Sequence, residues 1–154
     1  MLITDILTVK RVKVPLESTT KEALITEMVD LLCANGGLQD RQRVLDAVLE
    51  REHTRTTGIG NGIAIPHGKT AAVTDLVMAI GRTAQPIEYD SVDQRPVSLV
   101  IMLVSPMDQT GPHIQALAHV SRLLSNDAFR NKLNHAQSAG ELFKLIKQQE
   151  EAKE

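Results

Sequence analysis

Apolar positions along the chain repeat with two periods, and the switches between them outline the fold. Val12, Val14 and Leu16 alternate with Arg11, Lys13 and Pro15. That is a strand pattern, and the proline puts it near a sheet edge. Thr19 and Glu22 stand at capping-box spacing ahead of a helix expected to stop at Asn35-Gly36-Gly37. Asp40 can cap a second helix, with Val44, Leu45, Val48 and Leu49 on its inner face and an end near Arg51-Glu52. Gly58, Gly60 and Gly62 then crowd a loop that leads into a short strand over residues 63–65. Residues 76–81 and 97–104 are near-continuous apolar runs, as in strands covered on both faces. Pro112 fits the first position of the next helix, whose inner face is Leu117, Val120 and Leu124. Asp127 and Ser138 are expected caps for two last helices, and Ser138 to Glu141 again has capping-box spacing. Helices and strands intermix throughout, which predicts an α/β fold, a mixed sheet with helices on both sides.

Size and composition narrow the function classes. A chain of 154 residues reads as one domain, 1–154, large enough to bury a core without disulfides or metal. The formal net charge is −2 and no basic stripe appears, which argues against a nucleic-acid partner. The lone Cys33 cannot form an internal disulfide and fits a reducing cytoplasm. Its apolar helical setting reads as a buried small hydrophobe rather than a reactive thiol. The opening Met1-Leu2-Ile3-Thr4-Asp5 lacks the basic segment and apolar core of a secretory signal. No run reaches the roughly eighteen apolar residues of a membrane span, so no membrane insertion is expected.

The candidate chemistry gathers in GIGNGIAIPHGKT, residues 58–70. Gly68-Lys69-Thr70 lacks the earlier glycine of a P-loop, and G-x-G-x-x-G is absent, so nucleotide binding has no support. The five histidines, 53, 67, 113, 119 and 135, form no HxH or HExxH spacing, and no metal or cofactor is expected. His67 remains, at the end of a short strand behind Pro66. A neutral imidazole fixed through one nitrogen can attack with the other. A structural histidine at a tight turn fits the same residues.

TGIGNGIAIPHGK resembles the active-site signature of phosphotransferase-system enzyme IIA proteins of the mannitol, fructose and nitrogen-regulatory class. VLDAVLERE resembles the helix before that signature, DQTGPHIQALAHVSRLL a later segment with a second histidine, and SAGELFKLI the closing helix. The resemblance implies a mixed, about five-stranded sheet flanked by helices. It implies that His67 is phosphorylated by a histidine-phosphorylated carrier protein, HPr or a relative. His67 would then pass the group to an enzyme IIB partner, or its phosphorylation would regulate a target protein. By the same resemblance His113 is the second, non-phosphorylated histidine and Arg51 the arginine ending the preceding helix.

These types suit the chemistry. Phosphoryl transfer needs positioning and charge stabilisation. Arg51 offers a planar fork of donors. His113, at a helix N-terminus, should stay neutral and can donate to a phosphoryl oxygen. Thr56 and Thr57 precede the glycines; Thr57 is a candidate for the phosphoryl pocket or for holding His67, and equally for capping the turn. The glycines themselves are expected to keep side chains away so that two partners can reach His67. His119 is expected on the surface, and His53 and His135 in solvent. Thr56-Thr57 replaces a common Ser-Thr, and Thr70-Ala71-Ala72 stands where acidic residues often occur; both bear on partner choice.

Three functions compete. One is a stand-alone nitrogen-type regulator, favoured because the chain leaves no room for a fused IIB or membrane domain. The second is a sugar-transport subunit donating to a fructose- or mannitol-type IIB. The third is a non-phosphorylated binding module, against which all three matched residues argue.

Overall fold

The structure, a computed structural model, describes residues 1–36, 38 and 40–152. After two short 3-10 turns the chain forms β1 (Val12–Leu16), α1 (Lys21–Gly36) and α2 (Arg41–Thr54). Then come β2 (Gly58–Gly60), β3 (Ile63–Ala64), β4 (His67–Lys69), β5 (Val77–Ile87) and β6 (Val97–Ser105), followed by α3 (Thr110–Leu123), α4 (Asp127–Asn134) and α5 (Ala139–Ala152). The six strands make one mixed sheet, ordered β1-β5-β6-β3-β2, with β4 also on β6. The expected α/β class holds, with one strand more than the expected five because the interrupted segment after the glycines counts twice.

The long apolar runs are the central pair. β5 and β6 are antiparallel, with Val77 opposite Val104 and Ile80 opposite Ile101. Alternation along β6 sends Leu99, Ile101 and Leu103 to one face, with Val120, Leu123 and Leu142 of α3 and α5. Val100, Met102 and Val104 go to the other, with Met28 of α1 and Val44 and Val48 of α2. Helices therefore cover both faces. β1 is an edge strand, as its proline suggests. A register shift between Lys13 and Leu16 sends Val12 into the first core and Leu16 into the second.

Several boundaries move. α1 is capped by Thr20, whose Oγ1 accepts from Ala23 N–H at 3.3 Å, not by a Thr19–Glu22 box. α1 reaches Gly36; Gly37, part of the expected stop, lies outside the described residues. Asp40 caps α2 as expected, accepting from Arg43 N–H at 3.1 Å, but the helix continues to Thr54. Pro112 is the third residue of α3, not the first, still within the turn whose N–H groups have no helical partner. Asn126, one residue before Asp127, caps α4 through Phe129 N–H. Ser138 does accept from Glu141 N–H, while Glu141 takes the N–H of Gln137 rather than that of Ser138.

The glycine stretch is the main correction. It is a hairpin, not an open loop: β2 and β3 pair antiparallel around Asn61-Gly62. Both turn residues have positive φ, 59° and 79°, the requirement of a type I′ turn. A Cβ on Gly58 would overlap Ser91, and one on Gly60 would lie 3.2 Å from Asp93. These glycines pack against the segment before β6 rather than clearing a path to His67.

Candidate active site

β3 and β4 are one strand broken by a proline. Ala64 lies opposite Val100 and His67 opposite Leu103, so the register is kept across the break. Pro66 has no N–H, and Ile65 turns its own N–H to Thr57 C=O at 3.0 Å. Ile65 C=O points to His67, whose Nδ1 lies 2.7 Å from it. A carbonyl only accepts, so Nδ1 carries the proton and Nε2 keeps its lone pair.

Gly68 fixes what faces that nitrogen. A Cβ there would come within 3.1–3.2 Å of the Ala47 and Val48 backbone, so its absence lets α2 lie directly on β4. The last turns of α2 then line an open cleft of about 440 Å³ with Ala47, Glu50, Arg51 and Thr54. His67, Gly68, Lys69, Met107 and His113 complete it. Arg51 thus shares the cleft with both histidines, its guanidinium donating to Arg55 C=O at 2.9 Å.

The opposite wall is the start of α3. His113 donates the first helical bond, N–H to Gln109 C=O, and its ring centroid is 5.4 Å from that of His67. It is 6% exposed, and its Nδ1 is 2.6 Å from Oγ of the fully buried Ser105. When Ser105 O–H donates to Nδ1, His113 Nε2 carries the proton and can donate into the cleft. Burial, with His67 and Lys69 nearby, pushes the His113 imidazolium down to about 4. Burial also lowers His67, helped by Arg51 and opposed by the Ile65 carbonyl and Glu52. Both rings are neutral at pH 7. Lys69 donates to Thr110 Oγ1 at 3.1 Å and adds a second cation to the rim.

Thr57, a candidate for the phosphoryl pocket, for holding His67 or for capping the turn, does not line the cleft. It is buried, and both its N–H and its hydroxyl go to Glu52. Thr56 Oγ1 instead takes Gly58 N–H and donates to Tyr89 C=O. His53 and His135 are exposed. His119 departs from expectation: half-buried, it meets the buried carboxylate of Glu150, on α5, at 2.9 Å. Among the described residues no three His, Cys, Asp or Glu side chains group as metal ligands, and no helix is long and apolar enough to cross a membrane.

Residues 5–149 match the family model for the phosphoenolpyruvate-dependent sugar phosphotransferase system, EIIA 2. The chain belongs to that EIIA family. It is 40% identical over 148 residues to the fructose-specific EIIABC component of Bacillus subtilis (strain 168), covering 96% of this chain but only 23% of that much longer protein. It is 40% identical over 141 residues to a fructose-specific EIIA component of Haloferax volcanii, covering 90% and 92% of the two chains. A nitrogen regulatory protein of Klebsiella oxytoca is also 40% identical, over 123 residues, 78% of this chain and 75% of that one. Among solved structures, nitrogen regulatory protein IIA-Ntr from Neisseria meningitidis has a TM-score of 0.86 and 31% identity, covering 94% and 98%. The fold is shared at 22% identity, TM-score 0.77, by a complex of IIA and phosphorylated IIB for mannitol from Escherichia coli, covering 91% and 96%.

In this EIIA chain the sequence reading overlooked four contributors. Gly68 follows the histidine directly, and a glycine inside a strand marks close backbone approach. Ser105 is the polar residue that closes the near-continuous apolar run begun at Val97. Lys69 was read only against the P-loop pattern. Glu52 continues the Val44–Val48 row at a spacing of four, so it lies on the buried face of α2, where an acidic residue needs partners.

Proposed function

We propose that this chain accepts a phosphoryl group on His67 Nε2 from a histidine-phosphorylated, HPr-like carrier and gives it up again. The observation that carries the reading is the 2.7 Å bond from His67 Nδ1–H to Ile65 C=O, which leaves Nε2 free beside Arg51 and His113. The Nε2 lone pair forms the new N–P bond. The P–N bond to the donor imidazole breaks, and its electron pair returns to the donor ring nitrogen. Arg51, Lys69 and a neutral His113 offer donors to the transferring oxygens, where charge accumulates. Thr57 has no part in the pocket in this reading. No cofactor, metal, nucleic acid or membrane insertion is called upon, and the chain works as one cytoplasmic domain.

The regulatory role is favoured by the 31% identity and 94% coverage with IIA-Ntr. In that role phosphorylation adds about −1.5 to −2 charges at His67 and disfavours a target docked over it. Donation to a IIB subunit is the second reading, supported by the 40% identity to a fructose EIIA of matching length. Intact mass after incubation with phosphorylated carrier tests the acceptor, with His67→Ala as the blank. A chain that gains no phosphoryl group is a binding module instead. A pull-down comparing His67→Ala with His67→Glu then separates the roles. A protein captured by Ala and released by Glu marks regulation, whereas recovery of IIB alone marks transport.

A further inference from the structure

Glu52 is absent from the cleft lining, yet its carboxylate is buried and fully engaged. Thr57 N–H reaches it at 2.8 Å, the Lys21 ammonium at 3.0 Å and Tyr89 O–H at 3.2 Å, with Thr57 O–H as a fourth donor. Tyr89 O–H also lies 3.1 Å from Thr57 Oγ1, and Lys21 stands 4.6 Å above the Tyr89 ring. Burial pushes the Glu52 carboxyl up; the Thr57 and Lys21 donors outweigh it and hold the group ionised. Lys21 of α1 and Tyr89 after β5 converge on the Glu52 carboxylate of α2, which in turn takes both donors of one threonine.

From Thr57 the bonds continue to His67. Thr57 C=O accepts from Ile65 N–H at 3.0 Å, and Ile65 C=O accepts from His67 Nδ1–H at 2.7 Å. Ile65 sits at the break between β3 and β4, where its N–H goes to the hairpin's Thr57 while the Pro66 C=O that follows accepts from Leu103 of β6. The hold on Thr57 therefore reaches the residue whose carbonyl selects the imidazole tautomer.

We propose that Glu52 is a positioning residue for phosphoryl transfer: with Lys21 and Tyr89 it clamps Thr57, and Thr57 and Ile65 hand that constraint to His67. This rests on the reading of His67 as the phosphoryl acceptor. The proton stays on Nδ1 while Nε2 bonds phosphorus, so the ring becomes cationic, and an ionised carboxylate behind it favours that state. Outer partners that orient a functional histidine typically contribute about 10–100-fold.

The test uses Glu52→Gln, which keeps shape and removes charge. Long-range proton–nitrogen NMR on the unphosphorylated protein reads the ring nitrogens of His67. Wild type should give the Nδ1–H tautomer alone. Glu52→Gln should give a mixture of tautomers and accept phosphoryl about tenfold more slowly, with core methyl signals unchanged. Thr57→Ser keeps both donors and should match wild type. If Glu52→Gln fails to fold, Tyr89→Phe removes a single donor and should shift both readouts the same way by less. A single Nδ1–H tautomer with a wild-type rate in whichever variant folds overturns the proposal. A wild-type chain that accepts no phosphoryl group would count against His67 as acceptor, while the tautomer comparison, made on unmodified protein, still decides the role of Glu52.

Discussion

The hairpin at Gly58–Gly62 and the strand at His67–Lys69 are neighbours in sequence, and both depend on glycine, for different reasons. In the hairpin glycine supplies backbone freedom: Gly60 and Gly62 have φ of 104° and 79°, and the chain reverses there. In the strand Gly68 has no positive φ; it supplies closeness, letting the α2 backbone come within 3.1–3.2 Å of where a methyl group would be. The first use builds the scaffold behind His67. The second sets how near α2, which carries Arg51, lies to the strand that carries His67. A dense glycine cluster draws attention in a sequence, but the single glycine after the histidine governs the site.

The largest effect should come from His67→Ala. It removes the only acceptor proposed, so phosphoryl incorporation by intact mass should vanish while circular dichroism stays that of wild type. Persisting incorporation would move the chemistry elsewhere. Arg51→Ala and His113→Ala should each still accept a phosphoryl group. The loss of one transition-state donor should slow rapid-quench transfer by about 10²–10³. Wild-type rates in both would leave α2 and α3 without a role in transfer.

Two glycine variants sharpen the comparison directly. Gly68→Ala forces a methyl against α2 and should cost about 1–3 kcal/mol in urea unfolding, and it should also slow transfer as Arg51 moves away. Gly60→Ala strains the turn by a similar amount, about 1–3 kcal/mol, with transfer unchanged. Equal rate losses in the two would mean that the hairpin and the strand glycines act on transfer in the same way.

The smallest effect is in pH dependence. An imidazole in the unfolded chain takes its proton near 6.5, and His113 in the fold near 4. Between those values the unfolded state binds more protons, so stability rises with pH across that window. The His113 contribution is complete above about 6.5 and lost as pH falls toward 4. An NMR titration of its ring should show a midpoint close to 4; an ordinary midpoint would mean that the Ser105 side of the site is open to water.

Much of this was legible in the sequence. The apolar runs of β5 and β6 identified the central strands because burial on both faces leaves no alternation to misread. Asp40 was found because a side-chain cap is a local signal. His67, Arg51 and His113 came from the family resemblance, and the cleft brings them together. Boundaries at Thr20, Asn126 and Pro112 slipped by one or two residues, where neighbouring polar side chains compete for the same N–H groups. The hairpin was hidden because β2 and β3 are too short for any period to appear. Thr57 lies off the cleft for a tertiary reason: Glu52 and Tyr89 bond it, Lys21 holds Glu52, and no local spacing links Lys21 and Tyr89 to it.

The two cores on either side of the sheet have a consequence for how such a chain can change. Mutational free energies at well-separated sites add to within about 0.3–0.5 kcal/mol. Substitutions under α1 and α2 should therefore be nearly blind to those under α3 and α5. Drift in one layer need not be matched in the other, and the face that a partner reads can diversify while the opposite layer is conserved, or the reverse. At the site the two layers meet on β4, touched by α2 through Gly68 and by α3 through Lys69 and His67. Epistasis between the two layers in a deep mutational scan should accordingly be strong at His67, Gly68 and Lys69.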